Sequence, residues 1–421
     1  MRLNKSKIKS LFQNQDIRGL VGNFFYLSIL KIISFVFPLI TLPYLTRVIG
    51  VEKFGAIAFA TAVIVIVETV VDWGFNYTAT RDAARAREDI DVVSQIFSEV
   101  IFSKLTLMAI CFFLLFSLLP LFSLSKETEL LLLLTFAYIP GHILFPEWLF
   151  QAFEQMKYIT ILNVLSKLIF TVLVFVVIRE QSDYMFQPLL VACGYIVSGI
   201  IAMFVLVKRY GIYVRFPKFG PIFRRLKNST NMFISLIVPN LYNNFSVILL
   251  RTYCGDGATG IYSGGEKFHG IVDQLTQVLS RAFFPFLARH EEKHSLYVKI
   301  TGTIAILMSL LMFLGANLFV DIFLTPNFSD SATVIRILAL SPIFLFLSNS
   351  YGTNYLVLVG KENLIRDIYV VWSLVGFALA WILVPRFSYV GVAFVLLAIR
   401  GAIGVSIYLM AKRLMKAKTH S

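Results

Sequence analysis

The sequence predicts an all-α integral membrane protein, with twelve transmembrane helices in two six-helix lobes around a central cavity. Three observations predict it. Twelve apolar segments follow one another with little between them, the polar connections alternate in charge, and the second half of the chain echoes the first. Each segment is close to twenty residues. At about 1.5 Å of rise per residue, a helix of that length crosses a hydrocarbon core of about 30 Å. Hydrophobic residues make up 58% of the chain, charged residues 15%, and the mean hydropathy is +0.78. Such a composition excludes a soluble catalytic domain.

The predicted spans are 19–45, 54–77, 96–119, 130–151, 158–178, 188–207, 232–253, 258–283, 297–320, 332–357, 364–384 and 389–410. The net charge of +14 is unevenly spread. Arg2, Lys5, Lys7, Lys9 and Arg18 precede the first span, and Arg81, Arg85 and Arg87 follow the second. The sixth connection holds Lys208, Arg209, Arg215, Lys218, Arg224, Arg225 and Lys227, and the tail holds Lys412, Arg413, Lys416 and Lys418. The odd-numbered connections, on the opposite side, carry only Arg47, Lys53, Lys126, Arg179 and Arg386, and two of them carry no Lys or Arg. Lys and Arg accumulate on the cytoplasmic side of membrane proteins, so both termini and the long basic connection are expected in the cytoplasm, and no nucleic-acid partner is needed to explain the charge.

The expected organisation is a basic arm at 1–18, a lobe at 19–207, a basic connection at 208–230, a second lobe at 231–410 and a tail at 411–421. The arm lacks the cleavage site of a signal peptide. Ile8, Leu11, Phe12 and Ile17 among its basic residues fit either a helix on the anionic inner leaflet or a disordered tail. Cys111, Cys193 and Cys254 are odd in number and spaced for neither a disulfide framework nor a metal cage.

The echo lies at an offset of 205 residues: Gly50 and Gly55 follow Arg47, and Gly255 and Gly260 follow Arg251, each set at the end of the first span of a half. Glu154–Tyr158 and Gly360–Leu364 are polar reversals near the same offset. Duplicated six-span units usually hold substrate between the halves. Pro38, Pro43 and Pro239 fall in the first span of each half, where broken helices mark a cavity.

Ionisable residues inside spans carry the chemistry. Lys31, Glu68, Lys167, Asp273 and Arg400 fall near span centres, where a charge costs about 2.5–3.5 kcal/mol unless a cavity or partner receives it. Lys104, Arg251, Lys267 and Arg281 lie nearer the ends, within reach of the interface by snorkelling. Helical spacing aligns Glu266, Gly270, Asp273, Gln277 and Arg281 in span eight, and Asn240, Asn243 or Asn244, and Arg251 in span seven. Asn23, Lys31, Ser34 and Thr41 align in span one, and Thr160, Asn163 and Lys167 in span five. Interhelical salt bridges, such as Glu68 with Lys31, are the alternative to a cavity. Cations exceed anions once Asp72, Glu147 and Glu266 are included, which fits a polar, anionic cargo better than a cationic drug.

His290-Glu-Glu-Lys-His294 matches the H-E-x-x-H pattern of zinc proteases, but it lies in a charged reversal without a third ligand or cleft. There is no G-x-x-x-x-G-K-[ST] phosphate loop and no long external loop for polymerase or ligase chemistry. No cofactor or metal is expected.

Residues 38–57, from Pro38 through Arg47-Val-Ile-Gly50 to Gly55-Ala-Ile57, closely resemble the first signature of the Wzx-type O-antigen flippases. Asp72-Trp-Gly-Phe-Asn76 with Ala79-Thr80-Arg81 resembles the second, and Phe145-Pro-Glu-Trp148 with Gln151, Glu154, Met156 and Tyr158 the third. The resemblance implies the exporter superfamily of multidrug antiporters (MATE) and the lipid II flippase (MurJ), a bacterial inner-membrane location, and no enzymatic activity. It also implies a cargo, an undecaprenyl-diphosphate-linked oligosaccharide moved from the cytoplasmic to the periplasmic leaflet, with membrane lipids and other polysaccharide-assembly membrane proteins as partners. The expected cargo pathway is Lys31, Asp72, Arg81, Lys104, Lys167, Arg251, Glu266, Lys267, Asp273 and Arg400. A small-molecule antiporter of the same fold is the runner-up, and a membrane metalloprotease the third reading.

Overall fold

The computed structural model describes residues 15–122, 124–217 and 219–419, with the side chains of residues 15–32 and scattered others outside the description. The expectations for the basic arm before residue 15 and for the side chain of Lys31 lie outside the described residues. Chain order is α1 (Gln15–Asp72), α2 (Phe75–Arg85), α3 (Ile90–Leu118), α4 (Lys126–Phe136), α5 (Tyr138–Leu144), α6 (Glu147–Ala152), α7 (Met156–Val177) and α8 (Gln187–Tyr210). Then come α9 (Phe219–Arg289), α10 (His294–Phe323), α11 (Ser331–Leu338), α12 (Ser341–Leu347), a wide-turned π-helical stretch Ser348–Leu356, and α13 (Glu362–Thr419). The described residues contain no strand. The protein is an all-helical, multi-pass membrane protein.

Three helices are longer than one crossing, each contains a residue with positive φ, and α9 also bends by 42° between Asn240 and Tyr242. Gly50 (φ 73°) breaks α1, Gly255 (φ 82°) breaks α9 and Ser388 (φ 53°) breaks α13. Glycine meets the first two demands without the steric cost of a Cβ. Counted with α4–α6 and α11 through Leu356 as single interrupted spans, the described helices fit the twelve predicted segments. Contacts between connections support the alternation. Arg87 pairs with Glu154 at 3.3 Å, and the Tyr213 hydroxyl donates to Asp91, which brings the basic second and sixth connections together with the fourth. At the opposite end Lys53 pairs with Glu127 at 3.2 Å and the Gln181 amide donates to the Ile49 carbonyl at 3.3 Å. These are called here the basic end and the sparse end.

One buried core lies within residues 64–212 and another within 242–411. A third joins the lobes near the sparse end, packing Leu42, Ile49, Phe54 and Ala60 with Phe268, Ala316, Phe328 and Ile335. Here the sequence echo becomes a structural relation. A Cβ on Gly55 would lie 1.9 Å from the Asp256 carbonyl oxygen, and one on Gly260 would lie 2.1 Å from the Val51 carbonyl oxygen. The two repeats therefore touch each other through equivalent positions, and only glycine permits that backbone approach.

Helix α9 starts at Phe219, inside the stretch 208–230 expected as a connection. Its opening turns pack on the first lobe. The Trp73 indole stacks on Phe233 with centroids 4.1 Å apart, and its N–H donates to the Leu226 carbonyl at 3.0 Å. Polar residues that read as a loop are held helical by this tertiary packing.

Candidate functional site

Between the lobes lies a cavity of about 800 Å³. The two halves of α1, α7 and α8 wall it from the first lobe, and α9 and α13 from the second. Its lining is mainly apolar, with Thr41, Thr61, Gln187, Asn243, Asn244 and Gln274 among the polar residues. Five lining residues are ionisable by the usual charge count: Glu68, Lys167, Glu266, Lys267 and Arg400.

Register along the helices gives their depth. Glu266 and Lys267 follow Gly255 by eleven and twelve residues, and Arg400 follows Ser388 by twelve. All three therefore sit about 17 Å from the sparse end, near the middle of a bilayer. Glu68 lies eighteen residues beyond Gly50 and so about 27 Å along its helix, nearer the basic end. Arg400 reaches Asp273 at 3.6 Å, and its Nη1 is buried without a hydrogen-bond partner.

Behind Glu68 stands a polar cluster inside the first lobe. The Lys104 ammonium lies 2.7 Å from Asp72 Oδ1, and Lys104 is only 3% exposed. His142 Nε2 is 3.0 Å from the same oxygen, and its Nδ1 is 3.6 Å from Glu68 Oε1. The Tyr138 hydroxyl donates to Glu68 at 3.2 Å, and Asn76 donates to Asp72 Oδ2 at 2.8 Å. Deeper still, Asn163 donates to Glu147 at 2.6 Å. Ligand atoms of Glu68, Asp72 and His142 lie within 4.8 Å of one another, a donor set able to hold a cation. Lys104 already supplies a positive charge on the Asp72 oxygen they would share. Asp72 is therefore compensated by Lys104 as it stands.

Both ends of the cavity are crossed by contacts between the lobes. At the sparse end the Gly55 and Gly260 approach is backed by Phe54 edge-on to Phe328, with centroids 5.7 Å apart, and by Arg251 donating to Thr128 at 2.7 Å. At the basic end Arg225 donates to Glu99 (3.0 and 2.7 Å) and to Asp82 (3.0 Å). Thr78 and Ser229 hydroxyls meet at 2.7 Å, and Asn240 donates to Thr69 at 2.9 Å.

The expected pathway residues thus separate into groups. Lys167, Glu266, Lys267 and Arg400 line the cavity. Asp72 and Lys104 pair behind the Glu68 wall, and Asp273 meets the cavity through Arg400. Two residues lie away from it. Arg251 is held by Asp256 at 3.0 Å near the sparse end, and Arg81 is exposed beside Asp82 at 3.0 Å on the basic end. In span eight the cavity row is Ser263, Glu266, Lys267, Gly270, Ile271 and Gln274, so the expected stripe is rotated: Gln277 donates to Asp273 at 3.4 Å, and Arg281 is exposed. The Glu68 neighbours that the structure describes are Tyr138 and His142, with Lys31 outside the description.

Sequence reasoning missed Tyr138 and His142. The signal was present, since a histidine within a span is itself an ionisable residue in lipid, and it adjoins Pro140-Gly141. In the H-E-x-x-H stretch, His290 pairs with Glu292 at 3.4 Å and His294 with the Ser350 carbonyl at 2.9 Å. His290 lies between helices and His294 opens α10, each with its own partner, so no single helix presents them together.

Comparison with known proteins agrees with the fold and adds a family. The chain matches the "Polysaccharide biosynthesis protein" family over residues 20–291. It is 28% identical over 396 residues to the "Putative O-antigen transporter" of Escherichia coli strain K12, covering 91% of this chain and 95% of that protein. The protein of the same name from Shigella dysenteriae is 29% identical over 360 residues, covering 83% and 89%. Among solved structures it resembles the lipid II flippase MurJ in an inward closed conformation, with TM-score 0.71, 15% identity and coverage of 93% and 87%. An inward-facing multidrug resistance MATE family transporter gives 0.67, 13%, 93% and 96%. The last two likenesses establish a fold of two lobes about a cavity, and the match across residues 20–291 establishes that the chain belongs to the polysaccharide biosynthesis protein family.

Proposed function

We propose that this protein is a flippase that moves an undecaprenyl-diphosphate-linked oligosaccharide from the cytoplasmic to the periplasmic leaflet of the bacterial inner membrane by alternating access. The observation that carries the reading is the inter-lobe cavity with Lys167, Lys267 and Arg400 in its walls. A diphosphate is the part of such a cargo that hydrocarbon rejects most strongly. Charge-assisted hydrogen bonds from Lys and Arg offset the loss of its water. The isoprenoid tail can remain in lipid while the cavity shields the headgroup. An inside-negative potential favours outward movement of the anion by about 2.3 kcal/mol per charge per 100 mV.

In this reading the basic end faces the cytoplasm, and the cargo pathway comprises Lys31, Lys167, Glu266, Lys267 and Arg400. Asp72, Lys104 and Asp273 hold the wall, and Arg251 belongs to the sparse-end closure. Access alternates as the two sets of inter-lobe contacts form and break in turn. Reporter fusions after Lys218 and Lys416 should read as cytoplasmic and one after Ser125 as periplasmic; a periplasmic signal at Lys218 overturns the orientation. Deleting the gene should remove surface polysaccharide and leave undecaprenyl-linked units on the cytoplasmic face. Normal surface polysaccharide in a deletion strain without a second flippase gene ends the reading, and drug efflux by intact cells selects an antiporter instead.

A further inference from the structure

Resting on the flippase reading above, we propose that the cavity takes an oligosaccharide free of acidic sugars, and that Glu68 is the residue that rejects a sugar carboxylate. The charge count of the described lining motivates this. Among the described residues Lys167, Lys267 and Arg400 stand against Glu68 and Glu266, and Asp273 adds a third carboxylate 3.6 Å from Arg400, so that with Lys31, placed on the pathway above, the cations exceed the carboxylates by only one. The diphosphate link alone asks for about two positive charges. A sugar carboxylate brought into the same space finds its cations already committed, and an uncompensated charge out of water is costly.

Position sharpens the point. Lys267 and Arg400 lie at mid-depth, whereas Glu68 lies about 10 Å nearer the basic end by helix register. A cargo whose diphosphate meets the mid-depth cations must place other parts of its headgroup along the wall that Glu68 shares. That wall also holds Tyr138 and Tyr195, edge to face with centroids 4.7 Å apart, and the Asn243 and Asn244 amides stand across the cavity. Pyranose faces pack on aromatic rings, and their hydroxyls donate to carboxylate and amide oxygens. Glu68 accepts hydrogen bonds from a neutral sugar and repels an acidic one, so one residue supplies both attraction and rejection. Lys104, the nearest Lys or Arg among the described residues, is already paired with Asp72, and the His142 ring contacts both carboxylates.

The test uses the full chain in proteoliposomes with two undecaprenyl-diphosphate oligosaccharides that differ only in one hexose, with a 6-hydroxymethyl group in one and a 6-carboxylate in the other. A membrane-impermeant glycosidase reads arrival in the far leaflet. The neutral substrate should move at least about tenfold faster. Glu68→Gln should shrink that ratio whatever its effect on absolute rate, and Glu266→Gln, checked like it for monodispersity, reports whether any lining carboxylate suffices. Equal rates for both substrates in the unaltered protein overturn the charge rule and leave the flippase reading standing. A ratio unchanged in Glu68→Gln overturns the role given to Glu68. Movement of neither substrate, in vesicles whose protein is monodisperse and correctly oriented, ends the flippase reading and the selectivity rule together.

Discussion

Gly55 and Gly260 occupy equivalent positions in the two repeats, and each faces the backbone of the opposite lobe across a single crossing at the sparse end. The approach is too close for any side chain. Residues 256 and 51, which receive the two contacts, are themselves equivalent by the same offset.

Gly55→Ala and Gly260→Ala should therefore push the lobes apart at that end. The overlap costs about 1–3 kcal/mol in a packed site. In a chain with its three cysteines replaced, a cysteine introduced at Thr61 should react faster with an impermeant maleimide supplied from the sparse side. Unchanged reactivity in both variants would show that the crossing is not a closure.

Arg225 ties the start of α9 to Glu99 and Asp82 on the first lobe, with Glu99 only 3% exposed. Arg225→Ala leaves a buried carboxylate without its partner, a loss of about 3–5 kcal/mol if no rearrangement follows. Opening at the basic end is the expected relief, and a cysteine at Asn244 should label at least about tenfold faster from that side. Charge-swapped Arg225→Glu with Glu99→Arg, in a chain that also carries Asp82→Asn so that no carboxylate faces the new glutamate, should restore slow labelling. If the single variant labels no faster than the parent, the contact is not a latch.

The Asp72 and Lys104 pair is the scaffold of the cavity wall. Lys104→Met should lower the melting temperature in detergent by stranding Asp72, at a cost of about 3–5 kcal/mol, whereas Lys104→Met with Asp72→Asn should recover most of it. A double variant as unstable as the single one would mean that the charges do more than pair.

For the mid-depth cations, Lys167→Ala, Lys267→Ala and Arg400→Ala should each cut surface polysaccharide at least about tenfold at unchanged protein level, as a lost charge-assisted contact to phosphate implies. Arg400→Lys keeps charge but loses the planar fork, and should retain part of the activity. Complementation with matched immunoblots decides it, and full activity in all three alanine variants would remove these residues from the pathway.

Hydropathy made the spans legible because depth in a bilayer is a property of consecutive residues. It placed Lys167 and Arg400 near span centres, as helix register does, whereas Lys267, expected nearer a span end, sits near mid-depth and Glu68, expected near a centre, sits nearer the basic end. Rotation was harder to read: the spacing of Glu266, Asp273 and Gln277 is compatible with several helix faces, and only the position of α13 shows that Asp273 turns to Arg400. Arg251 and Arg81, expected on the pathway, lie away from the cavity for a related reason, since long cations near span ends find local carboxylates (Asp256 and Asp82) that a one-dimensional reading ranks no higher than a distant cargo. Helix at 219–230 was hidden because its stability comes from Trp73, Asp82 and Glu99 on the other lobe. Gly50 and Gly255 were the opposite case, since their demand is local backbone geometry, which a residue type records directly.

The reciprocal crossing also constrains how the protein is made. Val51 and Gly55 are synthesised about two hundred residues before the segment that covers them, so the first six spans must enter the membrane with that surface uncovered. The two crossing contacts form together once the eighth span is inserted. A nascent chain halted before that point would present a bare glycine notch.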